Sequence, residues 1–398
     1  MKENWLNNSL CTGCGACVDR CPTQAISMTC DDNGCRKPDI DTGKCISCNL
    51  CKNVCPNINT KEYSDFEKSA YVGVFLNKSI NAKSASGGLF AALAKHVFSK
   101  MSGVVYGAAM VCENDILKCK HIRIERESDL YRIQGTKYIQ SHTAGVYKQV
   151  KSDLKSGRYV LFSGTSCQVA GLKNFIGDSD HLFTVDLVCH GVPLDKIFYD
   201  YISYLENKFH GRAVDISFRS KEISYHGKKM PYVVNIKFNS GISGTFNKCV
   251  VRPKSAFYSL FMSRAGYRSS CYECKYASLH KPSDLTLGDF RPNDEEMIEY
   301  GFNKSEVYSS IIVHSRKGAN LIEDVASVVK LWHVDMSMML MHHLNLQNPS
   351  TITDEGKKLY AIYENGGFRR LQRYILMKNV VLQYKYIAKK LLKEFNLK

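Results

Sequence analysis

Within its first 56 residues the chain repeats one spacing twice: Cys11, Cys14, Cys17, Cys21-Pro22 and Cys45, Cys48, Cys51, Cys55-Pro56. Each run reads C-x2-C-x2-C-x3-C-P, the bacterial pattern that holds cubane iron–sulfur clusters. Three closely spaced thiolates can wrap one corner of a [4Fe-4S] cube, while the fourth, turned away by the proline, reaches the other cube. The expected ligand sets are therefore crossed: Cys11, Cys14, Cys17 and Cys55 on one cluster, and Cys45, Cys48, Cys51 and Cys21 on the second. Structural zinc sites use paired ligands rather than three in a row with a fixed fourth. Disulfide frameworks belong to small secreted chains.

From about Leu10 to Asn57 this stretch resembles the two-cluster bacterial ferredoxin module. Between the runs, two short polar–apolar alternations flank Asp32-Asn33-Gly34 and predict a hairpin. Cys30 and Cys35 border that turn. With eight thiolates already assigned, they are expected to be a spare cross-strand pair and not ligands.

At 398 residues the chain is much longer than a ferredoxin, with length for two or three domains and a substantial core. No apolar run approaches the roughly 18 residues of a membrane span, and the opening residues lack a signal-peptide apolar region. Together with 17 cysteines and oxygen-sensitive clusters, this predicts a reducing, cytoplasmic setting. Net charge is +16, and residues 357–398 hold eleven Lys or Arg against Glu364 and Glu394. This tail reads as one or two basic amphipathic helices, able to lie on an anionic membrane or a partner, or to pack on their own domain with a solvated basic face. No base-reading motif accompanies the charge, so nucleic acid is not an expected partner.

The predicted fold class is α+β: a small ferredoxin-like 2[4Fe-4S] domain (1–60), a mixed α/β domain in two parts (68–155 and 156–335) and a helical C-terminal tail (336–398). Strands are expected at Tyr71–Leu76, Gly103–Met110, Cys119–Ile124, Arg158–Ser163, Leu182–Val188, Val307–Val313 and Val329–Val334, and through 213–246 with turns at His226-Gly227 and Asn239-Ser240-Gly241. Leu89, Leu93 and Val97 share one helical face, with Ser84 or Ser86 as the expected cap. Gly87-Gly88 would let backbone amides approach a phosphate at that helix end. Further helices are predicted at about 144–155 and 195–207. Cys167 and Cys189 each follow a strand, at the carboxyl ends of two expected parallel neighbours, where open α/β sheets place ligands.

Cys271 and Cys274 form a C-x2-C pair. With Cys167 and Cys189 they supply four thiolates, enough for a further [4Fe-4S] cluster or a structural zinc. A redox dithiol at Cys271/Cys274 and four independent buried cysteines fit the spacing as well.

Six segments occur in order: Ser86-Gly-Gly-Leu-Phe-Ala-Ala-Leu, Gly135-Thr-Lys-Tyr-Ile-Gln-Ser, Phe162-Ser-Gly-Thr-Ser-Cys-Gln-Val-Ala-Gly-Leu, Asp186-Leu-Val-Cys-His-Gly-Val-Pro, Cys271-Tyr-Glu-Cys-Lys-Tyr-Ala and Asp284-Leu-Thr-Leu-Gly-Asp-Phe. As an ordered set, over about 70–330, they resemble the coenzyme F-420 hydrogenase/dehydrogenase beta-subunit family, including members fused to an N-terminal ferredoxin. The resemblance implies that the central domain binds FAD and that Cys167, Cys189, Cys271 and Cys274 hold a third cubane. It places the FAD pyrophosphate at Ser86, Gly87 and Gly88, with Lys137 and Tyr138 near the flavin or its phosphates. His190, beside a cluster ligand, is the candidate proton donor to substrate or, as a lone histidine, a hydrogen-bonding structural group. The implied enzyme is an oxidoreductase passing electrons between ferredoxin-type clusters and a reducible small molecule or a deazaflavin, with a ferredoxin or another redox donor or acceptor as partner. The alternative is a flavin-free iron–sulfur adaptor serving a partner enzyme. One departure from the family pattern is Ser166, where proline is usual; loss of the fixed φ predicts a looser loop.

Overall fold

The computed structural model describes residues 10–395 except 33, 62, 64, 65, 220–223, 226, 227, 230–232, 242 and 243; for 382–395 it describes the backbone alone. The expected turn at His226-Gly227 lies outside the described residues. The cysteine-rich part comprises α1 (Ala16–Arg20), the hairpin β1 (Ile26–Cys30) and β2 (Arg36–Ile40), and α2 (Leu50–Asn53). Gly13 (φ 65°) and Gly15 (φ 77°) take the left-handed backbone that lets the first run curl round its own centre. In the hairpin, Cys30 registers with Arg36, not with Cys35. The turn closed by Gly34 N–H to Asp31 O (2.7 Å) pairs Asp31 with Cys35, so the two spare thiols are out of step and both are free.

The central domain is organised by β3 (Ser69–Phe75), α3 (Lys78–Ala82), α4 (Leu89–Met101), β4 (Val104–Glu113), β5 (Ile116–Ile124), α5 (Val146–Lys155), β6 (Val160–Ser163), α6 (Ser166–Ile176), β7 (Leu182–Leu187) and α7 (Asp195–Phe209). A three-stranded insertion follows: β8 (Arg212–Ser217), a short β9 (Ser224–Tyr225) and β10 (Lys228–Lys229), β11 (Val233–Asn239) and β12 (Thr245–Val251). The chain returns through α8 (Ala256–Met262), α9 (Ser269–Tyr272), β13 (Leu285–Phe290), α10 (Asp294–Tyr300), β14 (Tyr308–Val313), α11 (Arg316–Val325), β15 (Val329–Val334) and α12 (Met336–His342). It ends in α13 (Asp354–Phe395).

Eight strands from both halves of this domain form one sheet in the order β15-β3-β14-β13-β7-β6-β4-β5. The middle, β13-β7-β6-β4, is parallel, and the flanks are antiparallel. Alternation shows that both faces are covered, as a parallel sheet requires. Val105, Leu161 and Ile311 join α4 and α11 on one side, while Tyr106 and Phe162 meet α5 and α6, and Val72 and Ile312 meet α12, on the other. Leu89, Leu93 and Val97 are buried, as their spacing predicts. A separate core joins α7, β8, β11, α8 and the first half of α13. The tail divides at Gly367 (φ 67°), and Leu359, Tyr363, Phe368, Leu371 and Ile375 are buried in that core. Up to Asn379, therefore, the tail is held to the body and is not a free arm. Residues 336–346 also belong to the body, with Met338, Met339 and Leu346 buried under the sheet.

Candidate functional site

The two cysteine runs bring their thiols near one another in the folded chain. Burial raises the Cys17 thiol, and Cys14, Cys11 and Cys55 raise it further. Cys55 likewise raises Cys11 and Cys14 after burial. One hollow is lined by Cys11, Cys14, Cys17 and Cys55, closed by Met28, Pro38 and Pro56. At the other end Cys51 is raised by burial, then by Cys48 and Cys21. Cys21, Cys45 and Cys51 share an apolar cluster with Ile26 and Ile40, and Cys48 is exposed.

This small domain is bonded to the body at many points. The Asp19 carboxylate accepts from the main-chain N–H of Tyr147 (2.8 Å) and Lys148 (3.3 Å), so a ferredoxin-side carboxylate satisfies the opening amides of α5. Cys14 O accepts from Thr143 Oγ1 (2.7 Å) and Tyr147 Oη (2.8 Å). Cys11 O accepts from Arg268 Nη1 (3.1 Å) and Ser270 Oγ (3.2 Å). Arg36 and Asp195 form an ion pair at 2.6 Å with side chains 3% and 5% exposed. Gly171 leaves no space for a side chain, since a Cβ there would lie 2.8 Å from Cys14 Sγ.

A second hollow lies against the first and contains all four of the remaining motif cysteines, Cys167, Cys189, Cys271 and Cys274. Topology explains the convergence. β6 and β7 are parallel neighbours, so Cys167, in the first turn of α6, and Cys189, two residues beyond β7, emerge at the same sheet edge. The α9 segment carries Cys271 and Cys274 over that edge. Burial pushes Cys167 up to about 11, with a contribution from Cys274, and Cys271 up to about 12, with contributions from Cys167 and Cys274. Cys189 is raised by burial and then by Cys271, Cys167 and Cys274. Cys167, Cys189 and Cys271, each raised by burial and by neighbouring thiols, stand with Cys274 round one hollow, a donor set that fits a polynuclear cation taking them as thiolates. Among the described residues no three His, Cys, Asp or Glu side chains stand close enough to hold a single metal ion.

Ser166 does not loosen its loop. It is the first residue of α6, only 3% exposed, and its Oγ receives Lys281 Nζ at 3.4 Å. Gln168 ties the turn down: its Oε1 accepts from Thr165 N (3.1 Å), and its Nε2 donates to Ser141 O (3.1 Å).

Beyond Cys189 opens a cavity of about 270 Å³ lined by Ser86, Gly88, Lys137, Tyr138, Cys189 and His190, among others. The expected serine cap is replaced by Gly88 (φ 83°), which starts α4 with no side-chain acceptor. Ser86 Oγ pairs instead with Ser309 Oγ (2.9 Å), and Ser84 Oγ accepts from Gln134 Nε2 (3.0 Å). The start of α4, from Gly88 to Ala91, lines the cavity. Gly87 is not on the wall. It is pressed against the sheet, where a Cβ would come within 2.6 Å of Ser309 N. Lys137 donates to Gln134 O (2.7 Å) and Gly135 O (3.2 Å), and burial lowers it to about 8. The Tyr138 ring packs against Phe218, Tyr258 and Phe261. His190 is lowered by burial against a raising hydrogen bond with Asn345, and its main-chain O accepts from Ser350 Oγ.

Sequence reading misses several wall residues. His121 is held between Ser141 Oγ (2.8 Å) and Ser163 O (2.8 Å), with burial lowering it to about 4. Asp289, at the carboxyl end of β13, lines the cavity and pairs with Arg219. Arg268 and Lys281 flank the second hollow. Only Asp289 has a signal, its place in the Gly288-Asp289-Phe290 segment; the others stand alone in the sequence.

Residues 10–58 match the family model of the 4Fe-4S dicluster domain. Residues 157–337 match that of the C terminus of the coenzyme F420 hydrogenase/dehydrogenase beta subunit. No curated protein matches the chain significantly. Among solved structures, a chain from the F420-reducing [NiFe] hydrogenase complex of Methanosarcina barkeri has a TM-score of 0.45 at 13% identity, over 77% of this chain and 94% of that one. Residues 157–337 are thus related to the C-terminal part of the coenzyme F420 hydrogenase/dehydrogenase beta subunit, of an oxidoreductase family, and residues 10–58 to the 4Fe-4S dicluster domain.

Proposed function

We propose that this chain is an iron–sulfur flavoprotein oxidoreductase that moves electrons between three [4Fe-4S] clusters and a reducible small molecule or deazaflavin by way of FAD. The observation that carries the reading is a row of adjoining sites. Thr12 lines both thiol hollows, and Cys189, Gly191 and Gln140 line both the second hollow and the cavity. Clusters move single electrons, and a bound flavin supplies the conversion to two-electron chemistry.

In this reading Cys11, Cys14, Cys17 and Cys55 hold the first cluster, Cys45, Cys48, Cys51 and Cys21 the outer one, and Cys167, Cys189, Cys271 and Cys274 the third. Ser86, Gly88 and the α4 amides bind the pyrophosphate, while Gly87 keeps that turn against the sheet. Lys137 stands by the cofactor with its ammonium desolvated, and the Tyr138 ring walls the site. His190, between the third hollow and the cavity, passes a proton to substrate. A ferredoxin or another redox partner meets the outer set, where Cys48 and Ile46 are exposed. The cytoplasm, where thiols stay reduced, suits this cysteine usage. Among the described residues no helix is long and apolar enough to cross a membrane; contact with a membrane surface or partner falls to the basic end of the tail.

Anaerobic purification with iron, sulfide and flavin analysis tests the reading. About twelve iron atoms and one FAD per chain support it. Full cluster absorbance with no flavin retained replaces it with the adaptor reading. About eight iron atoms remove Cys167, Cys189, Cys271 and Cys274 from the ligands.

A further inference from the structure

Lys281 is 4% exposed and Arg268 3% exposed, both among the most deeply buried cations in the chain. Lys281 Nζ donates to Tyr276 O (2.6 Å) and to Ser166 Oγ (3.4 Å). Arg268 donates to Cys11 O (3.1 Å) and Arg36 O (2.6 Å). Among the described residues neither has a carboxylate oxygen within 4.0 Å, whereas the equally buried Arg36 has Asp195. Neutral carbonyls and a hydroxyl satisfy the N–H groups but leave two positive charges uncompensated in a low-dielectric interior, which proteins avoid. Both side chains line the hollow of Cys167, Cys189, Cys271 and Cys274.

We propose that Lys281 and Arg268 are the counter-charges of the third cluster, and that they hold its reduction equilibrium on the electron-accepting side. The inference rests on the three-cluster reading above. A cube bound by four thiolates is an anion in both redox states and gains one further negative charge on reduction. Two fixed cations beside it therefore favour the reduced form over the oxidised one. They do so without reorganising, because Lys281 is anchored at its tip and Arg268 is clamped between Cys11 O and Arg36 O. The electron comes from the adjacent cluster of Cys11, Cys14, Cys17 and Cys55, and no bond forms or breaks. Arg268 bridges the two hollows physically, whereas Lys281 touches only the third. The pair thus sets a downhill step from the ferredoxin side towards the cavity.

The test is an EPR-monitored redox titration of the anaerobically loaded full chain, with iron counted per chain. Lys281→Met is the primary variant because Lys281 makes no bond to the ferredoxin domain. One cluster signal is expected to become at least tenfold harder to reduce, a fall of about 59 mV for a one-electron couple, with the other two unmoved. Lys281→Arg, which keeps the charge, restores the original midpoint. Arg268→Gln lowers the midpoints of two clusters, the third and its neighbour. If Lys281→Met keeps twelve iron atoms and no midpoint moves, the counter-charge role is wrong while the three-cluster reading stands. About eight iron atoms in the unsubstituted chain overturn both. Should Lys281→Met lose four iron atoms while Lys281→Arg keeps twelve, the charge is needed to hold the cluster at all, and the assignment is supported.

Discussion

The Arg36–Asp195 pair offers a sharp test of how the cluster domain is held. Asp195 opens α7, and its Oδ2 receives both Nη2 (2.6 Å) and Nε (3.0 Å) of Arg36. In Asp195→Ala the guanidinium keeps one acceptor, Gln140 O at 3.3 Å, and remains buried with its charge unpaired. Breaking one side of such a pair costs about 3–5 kcal/mol, whereas replacing both partners by apolar groups is often close to neutral. At ~1.4 kcal/mol per tenfold, the single variant multiplies the open, undocked population by about 10²–10³ or more. Hydrogen exchange at the main-chain N–H of Tyr147 and Lys148, which Asp19 holds only while the cluster domain is docked, reads that population when reclosing outpaces exchange. Asp195→Ala is expected to speed that exchange roughly a hundredfold or more, and Arg36→Met/Asp195→Ala by less than about tenfold. Equal rates for the single and double variants would refute the reasoning, because the penalty would then come from lost packing and not from an abandoned charge.

Three other outcomes follow from the structure. Gly171→Ala puts a Cβ 2.8 Å from Cys14 Sγ, so this variant should bind less iron at the first cluster, measured by iron content and cluster absorbance, with the helix content of the body preserved by circular dichroism. Burial holds His121 at about 4, His314 at about 3 and His343 at about 4; below pH 6.5 the unfolded chain binds protons the folded one refuses, so stability present at neutral pH is lost as pH falls from 6.5 towards 4. Anaerobic urea titrations at pH 7 and 5 should show that fall, and His314→Asn should flatten it. Ending the chain after Ser350 removes Leu359, Tyr363, Phe368, Leu371 and Ile375 from the core and should leave it insoluble, while ending it after Val381 should leave the melting temperature within a few degrees. If full-length and 381-residue chains then pellet equally with anionic vesicles, the basic end has no membrane role.

What can be read from the sequence is whatever depends on short spacing. The C-x2-C-x2-C-x3-C-P runs announce a 4Fe-4S dicluster domain, and the grouping of Cys55 with Cys11, Cys14 and Cys17 round one hollow follows the expected crossing, while Leu89, Leu93 and Val97 declare a helical face by their period alone. Cys167 and Cys189 can be put at one sheet edge because buried apolar strands ending in a tight turn predict parallel neighbours, and β6 and β7 are paired that way. Long-range pairing leaves no such trace. Nothing local in Asp19 announces that it caps a helix 126 residues on, and the cap of α4 is misread because Ser84 and Ser86 have the right chemistry but are committed elsewhere, to Gln134 and Ser309. The two counter-charges are the extreme case. In sequence Lys281 is one lysine among the chain's 54 Lys and Arg, in a loop where a solvated side chain is the ordinary outcome. Its meaning comes from burial without a carboxylate, a property of the folded chain alone, and it is Ser166, the one departure from the family pattern, that supplies its hydroxyl partner. A substitution that reads as a loss of rigidity in the loop is, once folded, part of the polar seat of a buried charge.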